Sequence, residues 1–207
     1  MKSFISEDNI EQAICNRLSQ PEYGWKRIEC SPELEDQDEV ASTGRANPSE
    51  CILPEVFLSA LRRLNPQIDD EILKNILQDF RKDYSGTDMV DTNYKFYNQI
   101  RNGIKVKTRN QHREDFDIVK LIDFDHPERN DFHCVNQMWI KGHFRYRRPD
   151  VLLFVNGLPV VFIELKNSTV KIEESYNKNL VSYRKDIPNI FAMNQICVLS
   201  NGLQTKL

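Results

Sequence analysis

The sequence predicts an α/β protein, an α+β arrangement around one mixed sheet. Helical periodicity dominates the chain up to Gly103, and short β-branched and aromatic segments bounded by turn residues follow it. A further helix and a strand close the chain. This order of helices, an antiparallel series of strands, and a final helix and strand is typical of a domain built on one mixed sheet.

The N-terminal half contains four predicted helices. The first begins after Ser6, a suitable N-cap, and repeats Ile10, Ile14 and Leu18 on one face. The next three are predicted over Pro54–Leu64, Ile68–Tyr84 and Asp88–Arg101. Asn102-Gly103 ends the last of them. Residues 29–52 mix acids, Ser, Gly and Pro without periodicity, which predicts a loop or insertion.

The second half alternates strands with turns. Its predicted strands are Ile104–Thr108, Phe116–Asp123, Asp131–Ile140, Pro149–Val155 and Leu158–Leu165. A helix over about Val170–Lys185 carries Ile172, Tyr176 and Leu180 on one face, Pro188 ends it, and Asn189–Leu199 returns to a strand. No internal repeat is visible, so residues 1–207 are interpreted as a single domain.

Composition excludes several classes of protein. No apolar run approaches the roughly 18 residues of a membrane span, and the acidic N-terminus lacks a signal-peptide core. We therefore expect a cytoplasmic protein with no membrane partner. The five cysteines are scattered without a CxxC pair, which argues against a disulfide framework or a structural zinc site. No phosphate-binding glycine motif is present.

The charge is unevenly distributed. A net charge of −3 argues against a strongly basic, non-specific nucleic-acid binder. Lys105–Arg113 and Lys141–Arg148 are nevertheless basic. Either run alone is usually a solvated face, but two runs on either side of a candidate active site favour DNA binding. The candidate DNA-binding residues are Lys141, Arg147 and Arg148.

The segment from Arg147 to Ser168 carries the candidate chemistry. Asp150 opens one apolar strand, and Glu164, Leu165 and Lys166 close the next. Two carboxylates and the Leu165 carbonyl offer the oxygen ligands that Mg²⁺ prefers. Lys166 would position a water or stabilise charge on a phosphate. The alternative is a purely structural ion pair of Lys166 with either acid, since buried charges are usually paired.

The metal site makes a demand on the hairpin between the two strands. A regular two-residue loop at Asn156-Gly157 places Asp150 opposite Ile163, and the two acids then face opposite sides of the sheet. A three-residue loop with a bulge, or another bulge before Glu164, unites them on one face. One of these irregularities is therefore predicted.

These residues resemble the PD-(D/E)xK nuclease motif, as Asp150 followed by Glu164-Leu165-Lys166. The flanking runs LIDFDHPERNDFHCVNQMWIKG, RPDVLLFVNGLPVVFIELKNS, YRKDIPNIF and VLSNG are similar to the N-terminal region of the R subunit of type I restriction–modification enzymes. The opening run SEDNIEQAICNRLSQPEYGW resembles that family's first helix. The similarity covers most of the chain apart from about 29–52.

The resemblance implies a restriction-endonuclease-like core with a helical N-terminal segment. It gives Asp150, Glu164 and Lys166 the catalytic positions. Glu11 matches an acid that assists the metal in related nucleases, although an exposed helix carboxylate is an equal alternative. The family's Gln-x-x-x-Tyr motif becomes Asn179 and Tyr183 here. Because Asn is one methylene shorter than Gln, a direct contact could become water-mediated.

The resemblance also implies a type I endodeoxyribonuclease that cleaves double-stranded DNA with Mg²⁺ inside an ATP-driven complex. Its partners would be the methylation and specificity subunits and the rest of the R subunit. ATP would serve only the motor region, whose motifs this chain lacks. The alternatives are a catalytically silent nuclease fold that docks motor or partner subunits, and another PD-(D/E)xK enzyme such as a junction resolvase.

Overall fold

The computed structural model describes residues 6–30, 40, 42–110, 113–172 and 179–207. Its main helices are α1 (Glu7–Leu18), α2 (Pro54–Leu64), α3 (Asp70–Phe80), α4 (Met89–Asn102), α5 (Val181–Asp186) and α6 (Pro188–Met193). The strands are β1 (Lys26–Glu29), β2 (Ile104–Asn110), β3 (Arg113–Val119), β4 (Phe132–Asn136), β5 (Ile140–Lys141), β6 (Tyr146–Arg147), β7 (Val151–Val155), β8 (Leu158–Leu165), β9 (Ile196–Ser200) and β10 (Thr205–Lys206).

A six-stranded sheet in the order β1-β4-β7-β8-β9-β10 forms the centre. Strand β1 is parallel to β4, and β8 is parallel to β9. The other neighbours are antiparallel. The predicted mixed sheet is therefore confirmed. Two separate hairpins, β2–β3 and β5–β6, lie outside this sheet.

Apolar side chains cover both faces of the central sheet. On one face Cys15, Ile10 and Ile14 of α1 pack with Cys134 of β4 and Val151 of β7. On the other face a larger core joins α2 to α6 with alternate residues of the same strands. The strands of a sheet that is buried on both faces have continuous apolar sequences, which explains VLLFV in β7 and LPVVFIEL in β8.

The predicted helices agree closely with the structure in the N-terminal half. Helix α2 has the predicted bounds, and α1 begins after Ser6, whose hydroxyl accepts a hydrogen bond from the Asn9 N–H over 3.2 Å. Helix α3 is shorter than the predicted Ile68–Tyr84 at both ends, and α4 is displaced by one residue; they are capped by Asp69 and Asp88. Within the described residues, no helix is long and apolar enough to cross a bilayer.

Two predicted elements need correction, and a third lies partly outside the described residues. Residues 188–193 form helix α6 rather than the start of a strand, because Pro188 occupies the first turn of a helix, where its fixed φ is favourable. The predicted strand Asp131–Ile140 is divided into β4 and the short β5. The helix predicted over Val170–Lys185 is described only as α5 and its approach, since 173–178, including Tyr176, lie outside the described residues.

The predicted loop over residues 29–52 is wrong at its first residue, whereas 43–52 lack regular structure as predicted but pack into the core. Glu29 belongs to β1 and pairs with Asn136. Cys51 and Ile52 are buried in the larger core. Arg45, also buried, donates to the backbone carbonyl of Trp139 over 2.9 Å. The second part of this segment is therefore an integral part of the packing, while 31–39 and 41 lie outside the described residues.

The hairpin between β7 and β8 contains the irregularity that a shared metal site requires. Its loop is the two-residue Asn156-Gly157 turn, with φ of 51° and 80°, so the three-residue alternative is wrong. The register then shifts, because Phe154 pairs with Pro159 whereas Leu153 pairs with Val161. Val160 is the extra residue of a β-bulge. The second alternative, a bulge before Glu164, is confirmed.

Candidate active site

Asp150 and the end of β8 come together because of that bulge. With Val151 paired to Ile163, the next pair outward is Asp150 opposite Glu164. The backbone N–H of Leu165 donates to Oδ2 of Asp150 over 2.6 Å. Both predicted acids therefore lie at one end of the hairpin, and Lys166 shares the face of Glu164 by strand alternation.

Glu164 is a deeply buried carboxylate with only 2% of its surface exposed. Its Oε1 accepts hydrogen bonds from Nζ of Lys166 and Nδ2 of Asn179, each over 2.8 Å. Its Oε2 is buried and has no hydrogen-bond partner among the described residues. An unpartnered carboxylate oxygen inside a protein is costly, so this atom is the natural ligand position for a cation.

Lys166 links the two strand ends and helix α1. Its Nζ donates to Glu164 and, over 2.7 Å, to the carbonyl oxygen of Leu165, and it lies 3.7 Å from Oε2 of Glu7. Burial alone would lower the pKa of Lys166, but the charge of Glu164 and the hydrogen bond to it leave that pKa above its usual range. The side chain is therefore a firmly protonated cation, and the ion-pair alternative is realised with Glu164.

Asp150 titrates far from the usual range of an aspartate. Burial raises its pKa to about 7, and the negative charge of Glu164 adds to that effect. The Leu165 N–H and the charge of Lys166 act in the opposite direction without cancelling it. A carboxyl whose pKa is raised by burial and by a second carboxylate lies in a site that a divalent cation would stabilise.

Glu11 belongs to the site but is engaged by two amides. It lies on α1 and is 4% exposed. Its Oε1 accepts from Nδ2 of Asn136 over 2.9 Å, and its Oε2 accepts from Nε2 of Gln137. The exposed-carboxylate alternative is therefore wrong. Sequence reasoning missed Asn136 and Gln137, because amides at a strand end carry no motif of their own.

Asn179 and Tyr183 face the acids as their shared helix face predicts. Asn179 binds Glu164 directly, without a water between them. The hydroxyl of Tyr183 lies within hydrogen-bonding distance, 3.2 Å, of the carbonyl oxygen of Arg148, and its ring centre lies 5.3 Å from that of Phe162. Burial raises the pKa of Tyr183, and the charge of Glu164 raises it further. The hydroxyl of Tyr183 is therefore uncharged at neutral pH, and its side chain lines the site.

The predicted basic residues have different surroundings. Arg147 forms an ion pair with Asp186, with Nε 2.7 Å from Oδ2, so it ties β6 to α5. The guanidinium of Arg148 lies 4.9 Å from the centre of the Trp139 ring, at the edge of a cleft of about 480 Å³ that it shares with Asp150. Lys141 is exposed on β5, and its Nζ lies 5.8 Å from the centre of the Tyr146 ring.

The other basic run, Lys105–Arg113, begins from the far end of the sheet. Its hairpin leads through Val119 to Leu121, whose carbonyl accepts from the side chain of Asn156 over 2.9 Å. Asn156 lies in the turn of the β7–β8 hairpin, at the opposite end from Asp150. The base of the β2–β3 hairpin therefore lies at the end of the sheet opposite to the acids. The expectation that two basic runs flank the acids is not met there.

The described residues contain no group of three His, Cys, Asp or Glu side chains arranged to hold a metal. A cation here would rest on two carboxylates and a backbone carbonyl. Mg²⁺ accepts such a set, because it usually keeps several waters and needs only one or two carboxylates. The buried, unpartnered Oε2 of Glu164 beside Asp150 fits that ion.

Comparison with known proteins gives one consistent family. Residues 4–207 match the family described as the type I restriction enzyme R protein N terminus. The chain is 30% identical over 208 residues, 99% of its length, to the type I restriction enzyme HindI endonuclease subunit of Haemophilus influenzae. It is 29% identical over 212 residues to a putative type I restriction enzyme MjaIXP endonuclease subunit of Methanocaldococcus jannaschii.

A shorter match, 34% identical over 79 residues, joins 38% of the chain to the type I restriction enzyme SauCOLORF180P endonuclease subunit of Staphylococcus aureus, of which it covers 8%. The chain spans 19% of the length of each of the first two relatives. The similarity therefore concerns the N-terminal region of much longer subunits.

Proposed function

This chain belongs to the type I restriction enzyme R protein N-terminal family, and we propose that it is a Mg²⁺-dependent endonuclease domain that hydrolyses phosphodiesters of double-stranded DNA. The observation that carries the proposal is the pairing of Asp150 with Glu164 at one strand end, with one buried oxygen of Glu164 left without a described partner. A purely structural cluster has no reason to keep that oxygen buried.

The protein's share of the metal site would be Asp150, Glu164 and the carbonyl of Leu165. When bound, Mg²⁺ would supply Lewis-acid polarisation of the scissile phosphate and activation of the attacking water. Asp150 would be held ionised in that state, because a nearby cation favours the charged form of a carboxyl. Asn179 would keep Glu164 in place through the hydrogen bond to Oε1.

Lys166 would act on the substrate side of the site. It is a half-buried cation beside Glu164, and in that position it would stabilise the negative charge that develops on a phosphate oxygen. The same ammonium can orient the attacking water through one of its three donors. The contacts of Lys166 with Glu164 and the Leu165 carbonyl fix its position before substrate arrives.

DNA would approach along the β5–β6 hairpin. Lys141 is exposed there, and Arg148 leads from the hairpin into the cleft beside Asp150. These side chains are suited to phosphate contacts, which position DNA without reading its sequence. Arg147 would contribute indirectly, by holding the hairpin against α5.

The chain would work within a larger assembly. Its relatives are described as endonuclease subunits about five times its length. We therefore propose that the methylation and specificity subunits, and an ATP-driven motor elsewhere in the R subunit, deliver the DNA that this domain cleaves. ATP would act only at the motor.

The test is plasmid cleavage by the full-length subunit in its complex, with ATP and with or without Mg²⁺. Asp150→Ala and Lys166→Ala should each lower cleavage by about 100-fold or more, since each removes a group that acts on the transition state. Lys74→Ala, on the exposed surface of α3, is the matched control and should cleave normally. Cleavage that persists unchanged in either site variant would contradict the proposal.

A further inference from the structure

Gln137 lies between the acid of α1 and the acid that precedes β7. Its side-chain nitrogen Nε2 donates to Oε2 of Glu11 and lies 3.4 Å from Oδ1 of Asp150. Its backbone N–H donates to the carbonyl oxygen of Asp150 over 3.0 Å. One residue therefore contacts both the main chain and the side chain of Asp150.

The backbone of Gln137 is held in an unfavourable conformation. Its φ is 58°, and Asn156 is the other non-glycine residue of the described chain with a positive φ. A residue with a β-carbon adopts this left-handed conformation at a cost in conformational energy. Such a conformation persists where contacts with the surrounding residues stabilise it. Here those contacts are the hydrogen bonds to Asp150 and Glu11.

Glu11 determines which end of the Gln137 amide faces Asp150. The two ends of an amide are nearly equal in size, but only the nitrogen end can donate to a carboxylate. Glu11 accepts from that nitrogen and would repel the oxygen. Asn136 fixes the other oxygen of Glu11, so the orienting carboxylate is itself held.

We propose that Gln137 is a positioning residue for the metal-binding carboxylate of Asp150, and that Glu11 acts on the metal site through Gln137. This rests on the function proposed above. Oδ2 of Asp150 is fixed by the Leu165 N–H, and Oδ1 is fixed by the Gln137 amide. A carboxylate held at both oxygens presents its remaining lone pairs to a cation in one orientation, and such outer partners tune metal affinity.

Two substitutions separate this role from folding. Gln137→Gly removes the amide and relieves the positive φ, and Gln137→Asn keeps an amide that is too short while tolerating that φ. Relief or tolerance of the positive φ offsets part of the lost hydrogen bonding, so both variants should still fold, which a cooperative melting transition checks. Gln12→Ala is the control, because Gln12 lines the same cleft but bonds to Arg27.

The direct readout is Mn²⁺ binding to the full-length subunit without nucleotide, followed by the electron paramagnetic resonance signal of the free ion. Binding that remains in Asp150→Ala belongs to other parts of the subunit and is subtracted. Both Gln137 variants should weaken the Asp150-dependent binding about 10-fold or more, and Gln12→Ala should not. The same variants should need more Mg²⁺ for half-maximal cleavage in the complex.

A double substitution tests the route through Gln137. If Glu11 acts through Gln137, adding Glu11→Ala to Gln137→Gly should weaken Mn²⁺ binding no further. Losses that multiply would make Glu11 a direct ligand and overturn that route. Normal Mn²⁺ binding by both Gln137 variants, with Asp150→Ala still inactive, would overturn the inference and leave the proposed function standing. If Asp150→Ala also binds Mn²⁺ and cleaves normally, the proposed function itself fails.

Discussion

The backbone N–H of Leu165 lies 2.6 Å from Oδ2 of Asp150, so the end of one strand binds the acid that precedes its neighbour. This contact exists because Val160 adds one residue to β8 and moves the register by one. Without that bulge the two acids would leave opposite faces of the sheet. The bulge, rather than the turn, therefore brings Asp150 and Glu164 together.

The first prediction concerns the pH dependence of stability in the metal-free protein. The pKa of Asp150 is about 7 when folded, chiefly through burial, whereas an unfolded aspartate titrates near 3.9. Between these values the folded state holds a proton that the unfolded state has lost, so the free energy of unfolding falls as pH rises from about 4 to 7. At about 1.4 kcal/mol per unit the loss is of the order of 2 to 4 kcal/mol.

Asp150→Asn should remove that slope and be more stable than the parent at pH 8, as measured by urea unfolding in EDTA. Asp70→Asn is a control of opposite sign. Hydrogen bonds from Arg62 and Lys74 lower the pKa of Asp70, so its contribution is present at neutral pH and lost on acidification. An unchanged slope in Asp150→Asn would place the titrating group elsewhere.

The second prediction concerns Asn179, which binds Oε1 of Glu164 rather than facing away from the acids. Asn179→Ala should lower kcat about 10-fold through the misplaced carboxylate, while the DNA dissociation constant stays unchanged. Asn179→Gln restores the amide and should recover much of the rate. These quantities are measured by cleavage kinetics and by DNA binding in the complex. If Asn179→Ala instead weakened DNA binding and left kcat unchanged, Asn179 would be a residue that contacts DNA.

The third prediction concerns the ion pair of Arg147 with Asp186, whose side chains are 31% and 14% exposed. A double-mutant cycle with alanine at both positions should give a coupling energy of about 1 kcal/mol, because the pair is partly shielded from water. The exposed pair Arg62–Asp70 is the comparison and should couple more weakly. If Arg147 served only DNA, Asp186→Ala would leave the stability unchanged.

Sequence periodicity and motif spacing predicted the mixed sheet, α2 and the strand pair that carries the acids. They did not predict β1, because its four residues, Lys26–Glu29, lack an alternating pattern. They misassigned 189–193, since a short apolar run suits a helix or a strand equally. The need for a bulge followed from the chemistry, but its position at Val160 depends on packing.

The remaining errors involve partners that are distant along the chain. Arg147 and Asp186 are 39 residues apart, and Gln137 and Glu11 are 126 apart. No local pattern records such contacts. The role of Gln137 also depends on its positive φ. The sequence does not predict that conformation, because glutamine rarely adopts it. The acids themselves were predictable because charges beside buried strands are costly unless they have a use.

The last prediction concerns the turn that fixes the hairpin against α2. Gly157 has a φ of 80°, and a β-carbon there would lie 2.6 Å from the carbonyl oxygen of Leu53 and 2.7 Å from the nitrogen of Phe57. Gly157→Ala should therefore lower the free energy of unfolding by about 3 kcal/mol or more, through both strain and collision with backbone. Gly24 has a similar φ of 68°, but a β-carbon there would meet no atom within 4 Å.

Gly24→Ala thus measures the conformational strain alone and should cost only about 1 to 2 kcal/mol in the same urea titration. The difference between the two variants isolates the close approach of α2 to the turn. Equal losses would show that α2 can move away from the hairpin. A larger loss at Gly157 would show that α2 holds the Asn156-Gly157 turn from which the register of Asp150 and Glu164 is counted.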